Sequence, residues 1–371
     1  MNICIVNCFD TYEHRVDLLL DAFKSQGHRA IVLSSDFRHI EKVKRIEKKN
    51  GYKFFPIKTY SKNLSVQRMR SHSCFSKNVA GYIERHIDKI DLIWALIPPN
   101  SLVKDIAKIK SKYPGIKLIY DLIDLWPETM PVGRVKNLFP FTYWRDLRDQ
   151  YIRSADCVVT ECNLYRKKLK SVLSGMRVET LYLARPYIEY TPHLHLPEDK
   201  ISLCYLGSIN NIIDIDTIVA IVKQIQKSKP VSLHIVGDGE NREKLILEVK
   251  ATGAEVIYHG KVYDREEKQQ ILDGCHYGLN IMKDSVCVGL TMKSMDYMEF
   301  GVPMINNIHG DTWDIIKRKQ IGINYSRELF EGSEYSYDIS CRNETRCFYE
   351  ESLTSLAFDN TIIKILKCLK K

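Results

Sequence analysis

The stretch Val288-Gly-Leu-Thr-Met-Lys-Ser-Met-Asp-Tyr-Met-Glu-Phe-Gly-Val-Pro-Met-Ile-Asn-Asn307 is where the reading of this chain starts. Gly289-Leu290-Thr291 is a flexible, partly apolar lead-in, and Met292 to Phe300 is predicted as a helix, with Met292, Met295 and Met298 on successive turns. Gly301-Val302-Pro303 stops that helix, because glycine suits the position just past a helix end and proline cannot continue one. Met304-Ile305 restarts as a short buried strand. A loop that ends at a helix N-terminus offers unpaired backbone N–H groups and the positive end of the helix dipole, which together suit a diphosphate. Lys293 adds a point charge in the first turn. Asp296, one turn further on the same face, can accept hydrogen bonds from a sugar diol. The competing reading is a capped amphipathic helix in front of a buried strand, with no ligand.

Working back from this helix, strands and helices alternate. Strands are predicted at Ile201–Leu206, Val231–Val236, Glu255–Tyr258 and Tyr277–Ile281, separated by helices at Asp214–Gln226, Arg242–Ala251 and Asp264–Leu272. Ala184 to Lys200 holds three prolines and no sustained period, and reads as an interdomain linker. The same alternation precedes it. Asn2–Cys8, Ala30–Ser34, Asp91–Leu96, Lys117–Asp121 and Ala155–Thr160 read as strands, and Asp17–Gln26, Val66–Ile90, Leu102–Lys110 and Asn163–Leu173 as helices. Repeated βαβ units imply parallel sheets. The expectation is an α/β protein of two doubly wound, Rossmann-like domains, residues 1–185 and 201–343, joined by a linker at 186–200. Glu344 to Lys371 reads as helix.

The chain of 371 residues suits two domains of ordinary size, and 44% hydrophobic with 27% charged residues suits a globular one. No window approaches the ~18 uninterrupted apolar residues of a membrane span. The opening MNICIVNCFD reads as a first strand rather than a signal peptide. Eleven scattered cysteines form neither a CxxC nor a metal-spaced cluster, so reduced thiols in a cytoplasm are expected. Residues 1–190 carry 33 Lys and Arg against 20 Asp and Glu, whereas the remainder carries 22 against 26. A basic half fits an anionic surface, a membrane above all, or simply a soluble basic domain. No nucleic-acid reader motif accompanies it, so no nucleic-acid partner is expected. Phe141 to Ser154 places Tyr143, Trp144, Leu147 and Tyr151 on one face edged by Arg145, Arg148 and Arg153. That is either a membrane-surface contact or a core stripe with a solvated edge.

Lys293-Ser-Met-Asp296-Tyr-Met-Glu-Phe-Gly301-Val-Pro303-Met-Ile305 resembles the nucleotide-sugar signature Lys-x-x-Glu-Tyr-Met-x-x-Gly-x-Pro-Val-Ile of GT-B glycosyltransferases of the retaining family-four type. Asp296 falls on the family's ribose-binding Glu, and Val288 on a second Glu eight residues earlier. Tyr205-Leu-Gly207-Ser208, His234-Ile-Val-Gly237-Asp-Gly239 and Tyr258-His-Gly260-Lys261-Val262 resemble the family's phosphate-side glycine, its strand-and-turn element and its base-contacting segment. Asp121-Leu-Ile-Asp124-Leu-Trp-Pro-Glu128-Thr-Met-Pro131 resembles the Asp-Leu-Trp-Pro-Glu segment of bacterial surface-polysaccharide glycosyltransferases, with Ile123 where those have a basic residue. Asp124 either faces a cleft or caps a helix.

The resemblance implies the GT-B plan, two Rossmann-like domains facing a central cleft, with the C-terminal helix returning to the first domain. It implies a nucleotide diphosphate donor, UDP-linked, and a glycan or lipid-diphosphate-linked acceptor of a bacterial surface polysaccharide. It further implies retention of configuration and work at the inner face of the cell membrane. No metal or other cofactor is implied beyond the nucleotide sugar. The donor residues it points to are Gly207, Ser208, Lys261, Val262, Leu290, Thr291, Met292, Lys293 and Asp296. The first loop, Phe9 to Arg15, lacks the family's glycines, and Ser208 to Val222 lacks its cations. His14 and Arg15 are therefore expected to supply the missing charge, with Asp124, as catalytic residues; the alternative is that Arg15 pairs internally and His14 caps its own helix. A nucleotide-sugar 2-epimerase and a non-catalytic GT-B partner subunit stay open.

Overall fold

Each of two units is laid around one all-parallel sheet in the computed structural model, which describes residues 1–130, 132–326 and 337–369. Pro131, the last two residues of the predicted C-terminal helix, and 327–336 of the predicted second domain lie outside the described residues.

The first unit comprises Met1–Arg185 and Ser355–Lys371. Its strands are β1 (Asn2–Asn7), β2 (Arg29–Ser35), β5 (Tyr52–Phe55), β6 (Leu92–Ile97), β7 (Lys117–Leu122), β8 (Cys157–Thr160) and β9 (Val178–Thr180), with a small hairpin of β3 (Phe37–Arg38) and β4 (Val43–Lys44) between β2 and β5. The sheet order is β5-β2-β1-β6-β7-β8-β9, so the chain reverses its direction of growth between β1 and β6. Helices α1 (Glu13–Ser25), α2 (Val66–Arg85), α3 (Asn100–Lys112), α4 (Phe141–Asp149) and α5 (Asn163–Lys168) connect the strands. Strands covered on both faces read as continuous apolar runs, and β1 shows how they divide. Ile3 and Ile5 face Val16, Leu19 and Phe23 of α1, whereas Cys4 and Val6 face Phe75, Val79 and Ile106 of α2 and α3.

The second unit, Pro186–Thr354, holds β10 (Ile201–Leu206), β11 (Val231–Val236), β12 (Glu255–Gly260), β13 (Tyr277–Asn280), β14 (Met304–Asn306) and β15 (Gly322–Asn324), in the order β12-β11-β10-β13-β14-β15. Helices α6 (Ile215–Ile225), α7 (Arg242–Lys250), α8 (Arg265–Asp273), α9 (Met292–Glu299) and α10 (Asp311–Lys319) link them. The switch point lies between β10 and β13, and open sheets of this kind bind ligands beyond the carboxyl ends of the strands there.

The predicted C-terminal helix is two helices. α11 (Ser340–Ser352) packs on α9 in the second unit, and α12 (Ser355–Leu369) returns to the first. Phe358, Ile362, Ile365 and Leu366 of α12 bury against α1 and Trp94, each worth ~1.5–3 kcal/mol when fully removed from water. The 186–200 segment belongs to the second unit, where Tyr190 Oη donates to Asp273 and the His193 amide donates to the same carboxylate. No helix among the described residues is long and apolar enough to cross a membrane.

Candidate functional site

The signature stretch folds into the cap and helix expected of it. The Ser294 amide donates to Thr291 Oγ1 at 3.0 Å, and the Thr291 amide donates to Ser294 Oγ at 3.0 Å, a reciprocal cap. The cap leaves the amides of Met292 and Lys293 at the open end of α9. Thr291 Oγ1 in turn donates to Asn280 Oδ1 at 2.8 Å, which ties the cap to the end of β13. Asn280 donates to Asn306, and Asn306 to Asn324, at 2.8 and 3.0 Å, and the three residues stand in register at the ends of β13, β14 and β15. This side-chain ladder holds the helix N-terminus against the carboxyl edge of the sheet. Sequence reasoning missed it; the signal was three successive strands each ending in Asn.

Lys293 is 8% exposed. Its Nζ donates to Tyr205 Oη at 3.1 Å and lies 4.3 Å from the centre of that ring. Among the described residues no carboxylate pairs with it, and burial alone lowers the ammonium from 10.5 to about 7. A cation in such a place is held by a ring face and one hydroxyl while awaiting a counter-charge. Tyr205 Oη donates to the Ser208 carbonyl at 2.9 Å, so the turn after β10 is bound to the same group. That turn depends on glycine. Gly207 has φ +113°, and a Cβ on Gly237 would stand 2.0 Å from the Gly207 carbonyl oxygen. The Gly207 amide donates to Val236 and the Gly237 amide to Gly260, stitching three strand ends together.

Hydrogen bonds through Tyr205 thus join Ser208, next to Gly207, to Lys293, two residues past the Thr291 cap, with Leu290 half-buried and Met292 exposed beside them in the chain. Lys261 is exposed and Val262 half-buried just past β12, where Lys261 acts on Asp238 of the adjoining strand-end turn. Asp296 is 8% exposed and pairs with Lys268 of α8 at 3.4 Å. Tyr297, read only as part of a motif, is the hub of the switch point. Its hydroxyl accepts from the Leu206 amide and donates to the Cys204 carbonyl, both at 2.9 Å, and its ring lies on Gly278, where a Cβ would approach to 2.5 Å.

The first-unit expectations fare differently. Arg15 is a buried ion pair, 3% exposed, and its guanidinium donates to Asp121 at 2.9 and 2.7 Å and to the Leu181 carbonyl at 3.0 Å. Trp94 Nε1 donates to the same carboxylate at 3.0 Å. Its position in the first turn of α1 points it between helix and sheet, so the expectation that Arg15 reaches donor phosphates is corrected: its donors are spent inside the fold. His14 is exposed at the other side of that turn, with Nε2 at 2.9 Å from the Ala184 carbonyl. Asp124 organises its own loop, accepting from Thr129 Oγ1 at 2.6 Å, Trp126 Nε1 at 2.7 Å, the Leu125 amide at 2.8 Å and Tyr12 Oη at 3.3 Å. The expected basic edge of residues 141–154 is corrected at Arg148, which is 1% exposed and grips Glu128 with two bonds of 2.9 and 2.8 Å, while Arg145 is half-buried and Arg153 exposed. Trp144 and Leu147 turn inward, and Tyr143 outward. Part of the basic excess is also neutralised locally, since Arg45 and Lys49 pair with Glu13 and Asp17 of α1.

Among the described residues no three His, Cys, Asp or Glu side chains come together to hold a metal ion.

Residues 200–327 match the family model described as glycosyl transferases group 1. No curated protein matches the chain in sequence. Among solved structures, it is similar to sucrose-phosphate synthase from Thermosynechococcus elongatus, at TM-score 0.67 and 13% identity over 100% of this chain and 99% of that one. The lipopolysaccharide outer core galactosyltransferase WaaB in its apo form is similar at TM-score 0.67 and 14% identity, over 98% and 99%. HepE of Anabaena, solved with UDP and glucose, is similar at TM-score 0.60 and 12% identity, over 99% and 100%. The chain has the GT-B fold, and its residues 200–327 carry the match to glycosyl transferases group 1.

Proposed function

We propose that this protein is a glycosyltransferase that takes its sugar from a UDP-linked donor and passes it, with retention, to a glycan or lipid-diphosphate-linked acceptor at the inner face of the cell membrane. The observation that carries the reading is Lys293, a buried ammonium without a carboxylate partner among the described residues, at the capped N-terminus of α9 and bound through Tyr205 to the turn after Gly207. A diphosphate seated there meets the Met292 and Lys293 amides and the Lys293 charge. As the bond from sugar to diphosphate breaks, negative charge grows on the leaving oxygen, and fixed N–H dipoles with one desolvated cation stabilise it without a metal. Asp296 accepts from the ribose hydroxyls, with Lys268 as its existing partner. Similarity to HepE, solved with UDP and glucose, supports a UDP-sugar as the donor.

A thermal-shift screen against UDP-, GDP- and TDP-sugars tests the reading. UDP-sugar at ~100 times its dissociation constant should stabilise the protein by about 2.7 kcal/mol. Asp296→Ala should weaken UDP binding by about 1.5–3 kcal/mol, the range for a hydrogen bond to a charged group. Equal UDP affinity in a folded Asp296→Ala protein removes the ribose assignment, and no shift with any nucleotide sugar removes the function. A second reading, donor binding without turnover, is favoured by Arg15 being internal and by Val288 in place of a carboxylate. UDP binding with no sugar transferred or isomerised selects it.

A further inference from the structure

The first unit holds a cavity of about 640 Å³ walled by α2, α3 and α4, at the carboxyl end of β6 beside the switch point of its sheet. It has three chemically distinct zones. The floor is polar and incomplete: His72 and Asn100 are each 5% exposed, and His72 Nε2 and Asn100 Oδ1 have no hydrogen-bond partner among the described residues. Asn100 is held by its amide nitrogen, which donates to the Trp126 and Trp144 carbonyls at 3.0 and 2.8 Å, so Oδ1 is fixed in place. His72 stacks on Trp126 at 5.9 Å, and burial with the nearby Arg68 and His39 keeps its imidazole neutral. Buried polar atoms without partners are costly, about 1–3 kcal/mol each, which a ligand's hydroxyls would relieve.

The second zone is cationic. Arg70, Lys77, Lys104 and Lys108 line the cavity against a single carboxylate among the described lining residues, Asp105. The third is apolar and faces water: Phe139 is 80% exposed, Val66 62% and Tyr143 46%, all on the cavity wall. Exposed apolar side chains gathered beside a basic rim mark a binding surface rather than a solvated one.

We propose that this cavity binds an isoprenoid-type lipid diphosphate, with the sugar hydroxyls on His72 and Asn100, the diphosphate on the lysine rim, and the hydrocarbon chain along Phe139, Val66 and Tyr143. The inference rests on the transferase reading only in taking this lipid for the acceptor. A free phosphate would leave the apolar wall unused, and a neutral glycan would leave the lysines unused.

Farnesyl diphosphate is the probe, followed by quenching of Trp126 and Trp144 in the full chain, with farnesol and inorganic diphosphate as separate arms. Farnesyl diphosphate is expected to bind at least ~10-fold more tightly than either half. The triple variant Lys77→Ala/Lys104→Ala/Lys108→Ala should weaken it ~10-fold or more, and Phe139→Ser about 3- to 10-fold, since each group adds its own share of the contact. UDP affinity should stay unchanged in both variants. Binding of farnesol as tight as that of farnesyl diphosphate overturns the proposal, as does tight binding of inorganic diphosphate alone. A triple variant that binds like the wild type overturns it too. A UDP-sugar thermal shift without farnesyl diphosphate binding sinks the cavity assignment and leaves the transferase reading standing. Farnesyl diphosphate binding without any nucleotide-sugar shift does the reverse.

Discussion

Lys293→Met should make the ligand-free protein more stable, and by an amount that depends on pH. Burial lowers the Lys293 ammonium from 10.5 to about 7. At ~1.36 kcal/mol per pH unit, that interval is a penalty of about 5 kcal/mol for carrying the charge in the folded state. The sign follows from the protons. Between about 7 and 10.5 the unfolded chain binds a proton that the folded amine excludes, so stability rises with pH across this window. Below about 7 the full penalty is present. Methionine fills a similar volume without the charge, so the gain should be about 5 kcal/mol near pH 6 and fall toward zero as pH nears 10.5. Urea unfolding of the second unit reads it. With a slope of ~2 kcal/mol per molar, the midpoint should rise by roughly 2.5 M at the acid end. On the proposed reading the same variant should bind UDP more weakly, since it removes the charge that would meet the diphosphate. A variant less stable than the wild type at acid pH would refute the reasoning, because the ammonium would then be stabilised by its surroundings and not strained by them.

Two further outcomes test the scaffold. Arg15→Ala should cost about 3–5 kcal/mol of stability, because it leaves Asp121 charged at 0% exposure with only the Trp94 indole N–H opposite it among the described residues, and the folded remainder should bind UDP normally; urea midpoints and UDP titration read both, and a loss below ~1 kcal/mol would show that the pair is not buried in solution. Asn306→Ala breaks the ladder at its middle rung, leaving the Asn280 amide unpaired. It should cost about 1–3 kcal/mol and weaken UDP binding by loosening the Thr291 cap, whereas UDP affinity equal to the wild type's would separate the ladder from the site.

How the chain encodes this fold depends on the range of each contact. The alternation of apolar strands with amphipathic helices, the glycine turns after β10 and β11, and the stop of α9 at Gly301 are short-range features. A parallel strand buried on both faces needs a continuous apolar run, and a helix needs its stop, so composition and spacing display them. Helix α9, with Thr291 at its cap and Lys293 and Asp296 in its first turns, was legible for the same reason. Its chemistry was not. Lys293 takes its lowered pKa from burial against Tyr205, 88 residues away, and nothing local marks which lysine will be desolvated. Arg15 looked available because its loop is rich in charge, yet its partner Asp121 lies 106 residues on. Arg148 stood on a basic stripe until the fold turned it onto Glu128. Three strand-ending asparagines became a ladder only once β13, β14 and β15 came into register. The sequence by itself determined the order of the elements, because that is written in local periodicity. Which cations are spent on internal carboxylates, and which stay buried without one, was decided only when the sheets brought distant residues together.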